Sequence, residues 1–121
     1  MSPRKIVVAD DDAVGRELIR EVLETSGYEV IEAADGIEAV YRVREAAPDL
    51  VLVDIQMPRL DGYGVLRELR ADPQFSGLRV VAVTAFAMRR DREKARDAGF
   101  DGYITKPVDI ATLRAEIRRF F

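Results

Sequence analysis

Five short apolar segments alternate with five amphipathic segments along this chain, and that alternation constrains the fold more than any other feature. The apolar segments are rich in valine and isoleucine, as strands are, and they cover Lys5 to Ala9, Glu29 to Ala33, Leu50 to Val53, Arg79 to Val83 and Gly102 to Thr105. Strands that alternate with helices form parallel sheets with helices on both faces. The sequence therefore predicts an α/β fold of repeated strand and helix units. A length of 121 residues fits one domain, residues 1–121.

Caps, breakers and apolar periodicity place the helices between these strands. We expect helices over about Ala13 to Ser26, after Asp35, after Asp61, over about Met88 to Ala98, and from about Asp109 to the C-terminus. The fourth helix has a thin apolar face formed by Met88, Ala95 and Ala98. A thin face predicts weaker packing and greater mobility than the neighbouring helices have.

Strand composition also predicts the order of the strands. The first, third and fourth segments are apolar throughout their centres, as strands buried on both faces must be. The second and fifth segments carry Glu29, Glu32 and Thr105, which places them at the edges. Short, right-handed connections then give an open, doubly wound sheet with strand order 2-1-3-4-5. Ligands of such sheets bind at the carboxyl ends of the strands where the winding reverses, here between the first and third strands.

Carboxylates follow the two strands that meet at this point. The first strand continues into Asp10, Asp11 and Asp12, and the third continues into Asp54. Carboxylates this close repel one another unless protons or a cation compensate them. Magnesium suits the cluster because it takes hard oxygen ligands, keeps several waters and leaves room for a phosphate. We therefore predict a Mg²⁺ site at Asp10, Asp11 and Asp54, and we interpret Asp12, which directly precedes a helix, as a helix cap.

The fourth and fifth strands end in groups of complementary chemistry. Thr84 follows the fourth strand with a hydroxyl, and Lys106 follows the fifth with an ammonium group. A hydroxyl and a cation that face carboxylates and a metal form a phosphoryl-binding site. Lys106 is one of three lysines in an arginine-rich chain, and a compact point charge suits a single phosphoryl oxygen.

Composition excludes several other kinds of chemistry. The chain contains no cysteine and no histidine, which removes thiolate and imidazole metal sites, disulfides, Ser-His triads and a phosphohistidine of its own. A chain without cysteine is expected in the cytoplasm, and no apolar run approaches the roughly 20 residues that cross a bilayer. The net charge of -3 argues against nucleic acid as a direct partner.

From about Lys5 to the C-terminus, the chain resembles the receiver domain of two-component response regulators. The resemblance rests on four segments in this order: Val7-Val8-Ala9-Asp10-Asp11, Asp54-Ile55-Gln56-Met57-Pro58-Arg59-Leu60-Asp61-Gly62, Val83-Thr84-Ala85 and Tyr103-Ile104-Thr105-Lys106-Pro107. It implies a flavodoxin-like fold, in agreement with the strand order predicted above. The Thr84-Ala85-Phe86-Ala87-Met88 stretch is similar to that of single-domain regulators and of receivers in hybrid kinases.

The resemblance also implies a reaction. Asp54 would accept a phosphoryl group from the phosphohistidine of a sensor histidine kinase or a phosphotransfer protein. Asp11, Asp54 and the backbone carbonyl of Gln56 would bind Mg²⁺, and Asp10 would hold the ion through water. Such a chain catalyses its own phosphorylation and dephosphorylation at most, and it is not an enzyme with a separate substrate.

The resemblance further implies how phosphorylation would change the binding of a partner protein. By resemblance, Thr84, Lys106 and the backbone N–H of Ala85 would bind the phosphoryl oxygens, and Tyr103 would act as an aromatic switch. The face formed by the fourth helix, the fifth strand and the fifth helix would then change its affinity for a partner protein. The chain would be a monomer or a phosphorylation-dependent dimer. Tyr103 also fits a second interpretation, a half-buried tyrosine of an edge strand.

Three alternatives remain open from the sequence. The chain could be the receiver of a longer regulator or hybrid kinase. It could be an aspartyl-phosphate phosphatase of the haloacid dehalogenase type, although those enzymes place a second Asp where Gln56 stands here. It could be a scaffold that is never phosphorylated, which the presence of Asp54, Thr84 and Lys106 argues against.

Overall fold

The computed structural model describes residues 3–121 as alternating parallel strands and helices. The strands are β1 (Lys5–Ala9), β2 (Glu29–Ala33), β3 (Leu50–Asp54), β4 (Arg79–Thr84) and β5 (Gly102–Thr105). The helices are α1 (Ala13–Thr25), α2 (Gly36–Ala46), α3 (Gly62–Ala71), α4 (Arg89–Ala98) and α5 (Ile110–Arg118), and a short 3-10 helix, Pro73–Phe75, follows α3. Within residues 3–121, no helix is both long and apolar enough to cross a bilayer.

The five strands form one parallel sheet in the order β2-β1-β3-β4-β5. The predicted α/β class, the strand order and the two edge strands are therefore confirmed. Strands β3 and β4 are each one residue longer than predicted, since Asp54 pairs with Val83 and Thr84 pairs with Thr105. The sheet itself thus fixes the backbone of both polar residues.

Two apolar clusters cover the two faces of the sheet, because successive strand residues point to opposite sides. One cluster contains Val7 of β1 and packs against α2, α3 and α4 through Val43, Leu69 and Ala95. The other contains Ile6 and Val8 of β1 and packs against α1 and α5. The central strands are therefore buried on both sides, and polar groups collect at the carboxyl ends of the strands.

The start of α1 departs from the prediction for Asp12. Asp12 occupies the N-cap position, but its carboxylate accepts no capping hydrogen bond. Its backbone N–H instead donates to Asp10 Oδ1 at 2.9 Å, so Asp12 is part of the turn that follows β1. The prediction that the Asp12 carboxylate caps α1 is therefore wrong.

Helix α4 packs weakly, as predicted, although two of the residues assigned to its apolar face lie elsewhere. Among Arg89–Ala98 only Ala95 is buried. Met88 is 59% exposed because it is the N-cap residue and precedes the helix, and Ala98 is exposed in the last turn. A single buried alanine therefore joins this helix to the core.

Candidate functional site

Three aspartates meet at the carboxyl ends of β1 and β3, where the sequence predicted a cluster. Asp10, Asp11 and Asp54 each offer a carboxylate oxygen, and these oxygens lie within 4.8 Å of one another. Asp10 is 2% exposed and Asp54 is 6% exposed, whereas Asp11 is open to solvent. The cluster therefore combines two buried carboxylates with one that a solute can reach.

Lys106 reaches into this cluster from the end of β5. Its Nζ atom donates a hydrogen bond to Asp54 Oδ2 at 2.7 Å and lies 2.8 Å from Asp10 Oδ2. The contact with Asp10 is an ion pair that is poorly aligned for a hydrogen bond, so the buried Asp10 Oδ2 has a charge partner but no aligned donor. A buried oxygen in that condition can accept a further ligand, such as water.

Burial and charge act in opposite directions on the titration of this pair. Burial raises the pKa of Asp54, and the neighbouring charge of Asp10 adds to the rise, while the Lys106 ammonium and the Gln56 N–H oppose it. Burial alone would lower the pKa of Lys106, but its close contacts with the carboxylates of Asp10 and Asp54 and their negative charges outweigh burial and raise that pKa. Lys106 is therefore a lasting positive charge beside the carboxylates at neutral pH.

The three polar residues that are buried within residues 3–121 share one local geometry. Asp10, Asp54 and Thr84 each accept a hydrogen bond from the backbone N–H two residues later, at 2.9, 3.0 and 3.2 Å respectively. These turns use one oxygen of each carboxylate. The second oxygen of each aspartate and the hydroxyl hydrogen of Thr84 remain for the site.

Thr84 closes β4 beside the lysine. Its side chain is 1% exposed, and its backbone carbonyl accepts the N–H of Lys106 at 2.8 Å. Ala85, the next residue, lines a cavity of about 450 Å³ together with Asp10 and Lys106. Ala85 and Lys106 thus line one cavity, and the backbone of Thr84 is joined to the backbone of Lys106. The bond between Lys106 and Pro107, which the sequence alone left undecided, is cis.

A cleft of about 770 Å³ opens on the α3 and α4 side of the cluster. Asp11, Gln56, Phe86 and Tyr103 are among the residues that line it. Gln56 is exposed in this cleft, directly after the buried Asp54 and Ile55. The predicted site residues that line this cleft or the cavity beside Lys106 are Asp10, Asp11, Gln56, Ala85, Tyr103 and Lys106. Asp54 and Thr84 are buried and line neither space.

Tyr103 connects the edge strand to the loop before α4. Its hydroxyl donates to the backbone carbonyl of Phe86 at 2.5 Å, and the Arg92 guanidinium lies 5.1 Å from the centre of its ring. Burial raises the pKa of Tyr103, and the charge of Asp91 adds to this rise. The half-buried tyrosine therefore contacts the loop that follows Thr84.

Arg16 of α1 contacts this site, although no sequence pattern indicated it. One guanidinium nitrogen of Arg16 donates to the backbone carbonyl of Asp10 at 2.6 Å, and its Nε donates to Glu32 Oε1 at 2.9 Å. The available signal was an acidic residue inside an edge strand, which needs a partner. That residue, Glu32, indicated the edge position of the strand but did not identify its partner.

Comparison with known proteins agrees with this fold and shows the family of the chain. Residues 6–118 match the response regulator receiver domain. The polar-differentiation response regulator DivK of Brucella anthropi is 37% identical over 118 residues, which cover 98% of this chain and 96% of that protein. The receiver domain of sensor histidine kinase PA1611 from Pseudomonas aeruginosa, solved with a magnesium ion coordinated in the active site cleft, is 34% identical with a TM-score of 0.89, and 98% of each chain is covered. The chemotaxis response regulator CheY4 of Vibrio cholerae has a TM-score of 0.93 at 26% identity and covers 99% of this chain and 100% of its own.

Proposed function

The chain belongs to the response regulator receiver family, and from that premise we propose that it accepts a phosphoryl group on Asp54 from a partner's phosphohistidine. The donor would be a sensor histidine kinase or a phosphotransfer protein. One observation carries the proposal: Lys106 bridges Asp54 and Asp10 at 2.7 and 2.8 Å, at the end of the sheet that also holds the buried Thr84. Residues 1–121 would act as one signalling domain with no separate substrate.

Mg²⁺ is the metal that this cluster would hold. The carboxylate oxygens of Asp10, Asp11 and Asp54 lie within 4.8 Å of one another, and Asp10 Oδ2 lacks an aligned donor. Asp11, Asp54 and the carbonyl of Gln56 would bind the ion directly, and Asp10 through water. When bound, the ion would neutralise charge between the acceptor carboxylate and the incoming phosphoryl oxygens.

The chain's own residues would stabilise the transferred group. The P–N bond to the donor imidazole breaks as a P–O bond to the Asp54 carboxylate forms. Lys106, which contacts Asp54 Oδ2 at 2.7 Å, would then pair with a phosphoryl oxygen. The hydroxyl of Thr84 and the backbone N–H of Ala85 would donate to the remaining oxygens.

The output would begin at Thr84. A shift of its hydroxyl toward the phosphoryl group would displace residues 85–88, and Tyr103 would follow because its hydroxyl is bonded to Phe86. Since α4 is attached to the core through one buried alanine, its shift would cost little free energy. The face formed by α4, β5 and α5 would then bind a protein partner or a second copy of this chain.

Intact-mass spectrometry after incubation with Mg²⁺ and acetyl phosphate tests the proposal. Wild type should gain one phosphoryl group, while the Asp54→Asn variant and an EDTA-treated sample should gain none. A gain that persists in Asp54→Asn would contradict the assignment of the acceptor. Rapid, saturable hydrolysis of the phosphodonor would instead favour the phosphatase alternative, which the side chain of Gln56 does not support.

A further inference from the structure

Arg16 joins three parts of the molecule beside the acidic cluster. Its guanidinium group donates to the Asp10 carbonyl at 2.6 Å and to Glu32 Oε1 at 2.9 Å, so α1, the end of β1 and the edge strand β2 meet there. The side chains of Arg16 and Glu32 are 17% and 27% exposed. This contact is therefore largely shielded from solvent.

Asp10 lies at the point where the ladder between β1 and β2 ends. Its backbone N–H still donates to the carbonyl of Ala33 at 3.0 Å, but the registered pairing of β1 stops at Ala9. The Arg16 guanidinium thus supplies a donor to a carbonyl beyond the ladder. The peptide bond is planar, so fixing the Asp10 oxygen also fixes the orientation of the peptide group that leads into Asp11.

Asp11 depends on that backbone more than the other two aspartates do. Asp10 Oδ1 and Asp54 Oδ1 each accept a backbone N–H, and Lys106 contacts both residues. The Asp11 side chain is exposed, and within residues 3–121 its carboxylate makes no hydrogen bond or ion pair. The preceding peptide group therefore sets the position of the Asp11 backbone, and with it the point from which this side chain reaches the cluster.

We propose that Arg16 is a positioning residue for the Mg²⁺ site. It holds the peptide group between Asp10 and Asp11, with Glu32 anchoring the guanidinium, so that the Asp11 carboxylate faces Asp54 before the ion arrives. The inference rests on the proposed function, because it concerns the metal assigned there. A residue that orients a metal ligand without touching the metal typically changes affinity about tenfold to a hundredfold when it is replaced.

Arg20 provides a matched control one turn further along α1. It donates to Glu32 Oε2 at 2.8 Å and to Glu24 Oε1 at 3.1 Å, so it shares the Glu32 carboxylate with Arg16. Its described contacts do not include Asp10. Replacing Arg20 therefore removes a similar charge and a similar ion pair but leaves the Asp10 carbonyl bonded.

For Arg16→Gln, an effect of charge alone and a loss of positioning predict opposite changes in Mg²⁺ affinity. Loss of a cation near a carboxylate cluster strengthens the binding of a second cation by Coulomb's law. Loss of the contact with the Asp10 carbonyl weakens Mg²⁺ binding, because the Asp11 carboxylate must then be ordered by the ion itself. The direction of the change therefore separates the two effects.

The experiment is a Mg²⁺ titration of wild type, Arg16→Gln, Arg16→Lys and Arg20→Gln, followed by the backbone amide NMR signals of residues 10–12 and 54–56. Arg16→Gln should bind Mg²⁺ about tenfold more weakly than wild type. Arg16→Lys should also bind more weakly, since one ammonium lacks the forked geometry that contacts a carbonyl and a carboxylate together. Arg20→Gln should bind as tightly as wild type or slightly more tightly.

Two results would overturn the inference, and only one of them would also contradict the proposed Mg²⁺ site. If wild type binds Mg²⁺ and Arg16→Gln binds it at least as tightly, the positioning role falls and the metal site stands. If wild type binds no Mg²⁺, the proposed metal site falls and this inference falls with it. Urea unfolding of each variant shows that the folded protein is being titrated. Arg16→Lys, which keeps the charge, carries the test if Arg16→Gln does not fold.

Discussion

Helices α3 and α4 pack against the same face of the sheet and flank the same cleft, yet the core holds them very differently. Helix α3, which follows Asp54, buries Val65, Leu66 and Leu69, and its N-cap carboxylate accepts the N–H of Gly64 at 2.8 Å. Helix α4, which follows Thr84, buries only Ala95, and its N-cap side chain, Met88, accepts no hydrogen bond. The start of α4 is held by a longer contact, in which Asp91 Oδ2 accepts the Met88 N–H at 3.2 Å. The contrast predicts that the side of the site that follows Asp54 is held firmly. The side that follows Thr84, to which the proposed function assigns the output, should move at a lower cost in free energy.

The largest difference between the two helices is expected when a buried side chain of each is shortened. Leu69→Ala removes a fully buried side chain and should lower the free energy of unfolding by about 2–5 kcal/mol. Ala95→Gly on α4 removes one methyl group and should cost only about 1 kcal/mol. Urea unfolding measures both values, and equal losses would show that α4 is held as firmly as α3.

A methyl group at Gly62, in the first turn of α3, should press against the backbone that follows β3. An added Cβ there would lie 2.7 Å from the carbonyl oxygen of Asp54 and 2.8 Å from Ile55 Cα. Gly62→Ala should therefore lower the free energy of unfolding by about 1–3 kcal/mol, because backbone atoms must move. The matched control is Gly77→Ala, where a Cβ has open space and thermal unfolding should change little. A similar small change at Gly62 would contradict the close packing of α3.

The negative charge of the buried Asp54 carboxylate, beside α3, should lower the free energy of unfolding as pH rises. Burial raises the pKa of Asp54, so the native state binds its proton more tightly than the unfolded chain does. Its contribution to stability is present below the unfolded pKa and is lost as pH rises through the folded pKa. In EDTA, the stability of Asp54→Asn relative to wild type should therefore increase with pH across this window. Urea unfolding at a series of pH values measures the difference, and a decrease would reverse the assigned sign.

The smallest effect is expected on the surface of α4. Glu93 accepts from Arg89 Nε at 2.9 Å, but the Arg89 side chain is 92% exposed. Glu93→Gln should change the free energy of unfolding by less than about 0.5 kcal/mol. Amide hydrogen exchange should nevertheless be faster throughout Arg89–Ala98 than in Gly62–Ala71, in the variant and in wild type. Equal protection of the two helices from hydrogen exchange would contradict the predicted mobility of α4.

The placement of the site could be predicted from the sequence because it depends only on the strands. Once β1, β3, β4 and β5 are recognised as parallel, their carboxyl ends must lie at one edge of the sheet. Asp10, Asp54, Thr84 and Lys106 follow from that rule, and the structure brings them together.

The missed contacts depend on details that periodicity does not contain. Arg16 reaches a backbone oxygen, and such an acceptor leaves no trace in residue type. Gly62 lies in the first turn of α3, and its role is visible only once the backbone of Asp54 is placed against it. Asp12 has the residue type of a helix cap, yet its orientation is decided by the Asp10 turn.

The bond between Lys106 and Asp54 also has a consequence for folding. It joins residues 52 positions apart, and the site draws on both ends of the chain. Contacts of such long range form only after most of the loop-closure entropy has been lost. A chain in which β5 has not yet docked would hold its aspartates without their counterion. Under the proposed function, the capacity to become phosphorylated would therefore appear late in folding, and it would report how many molecules have completed the sheet.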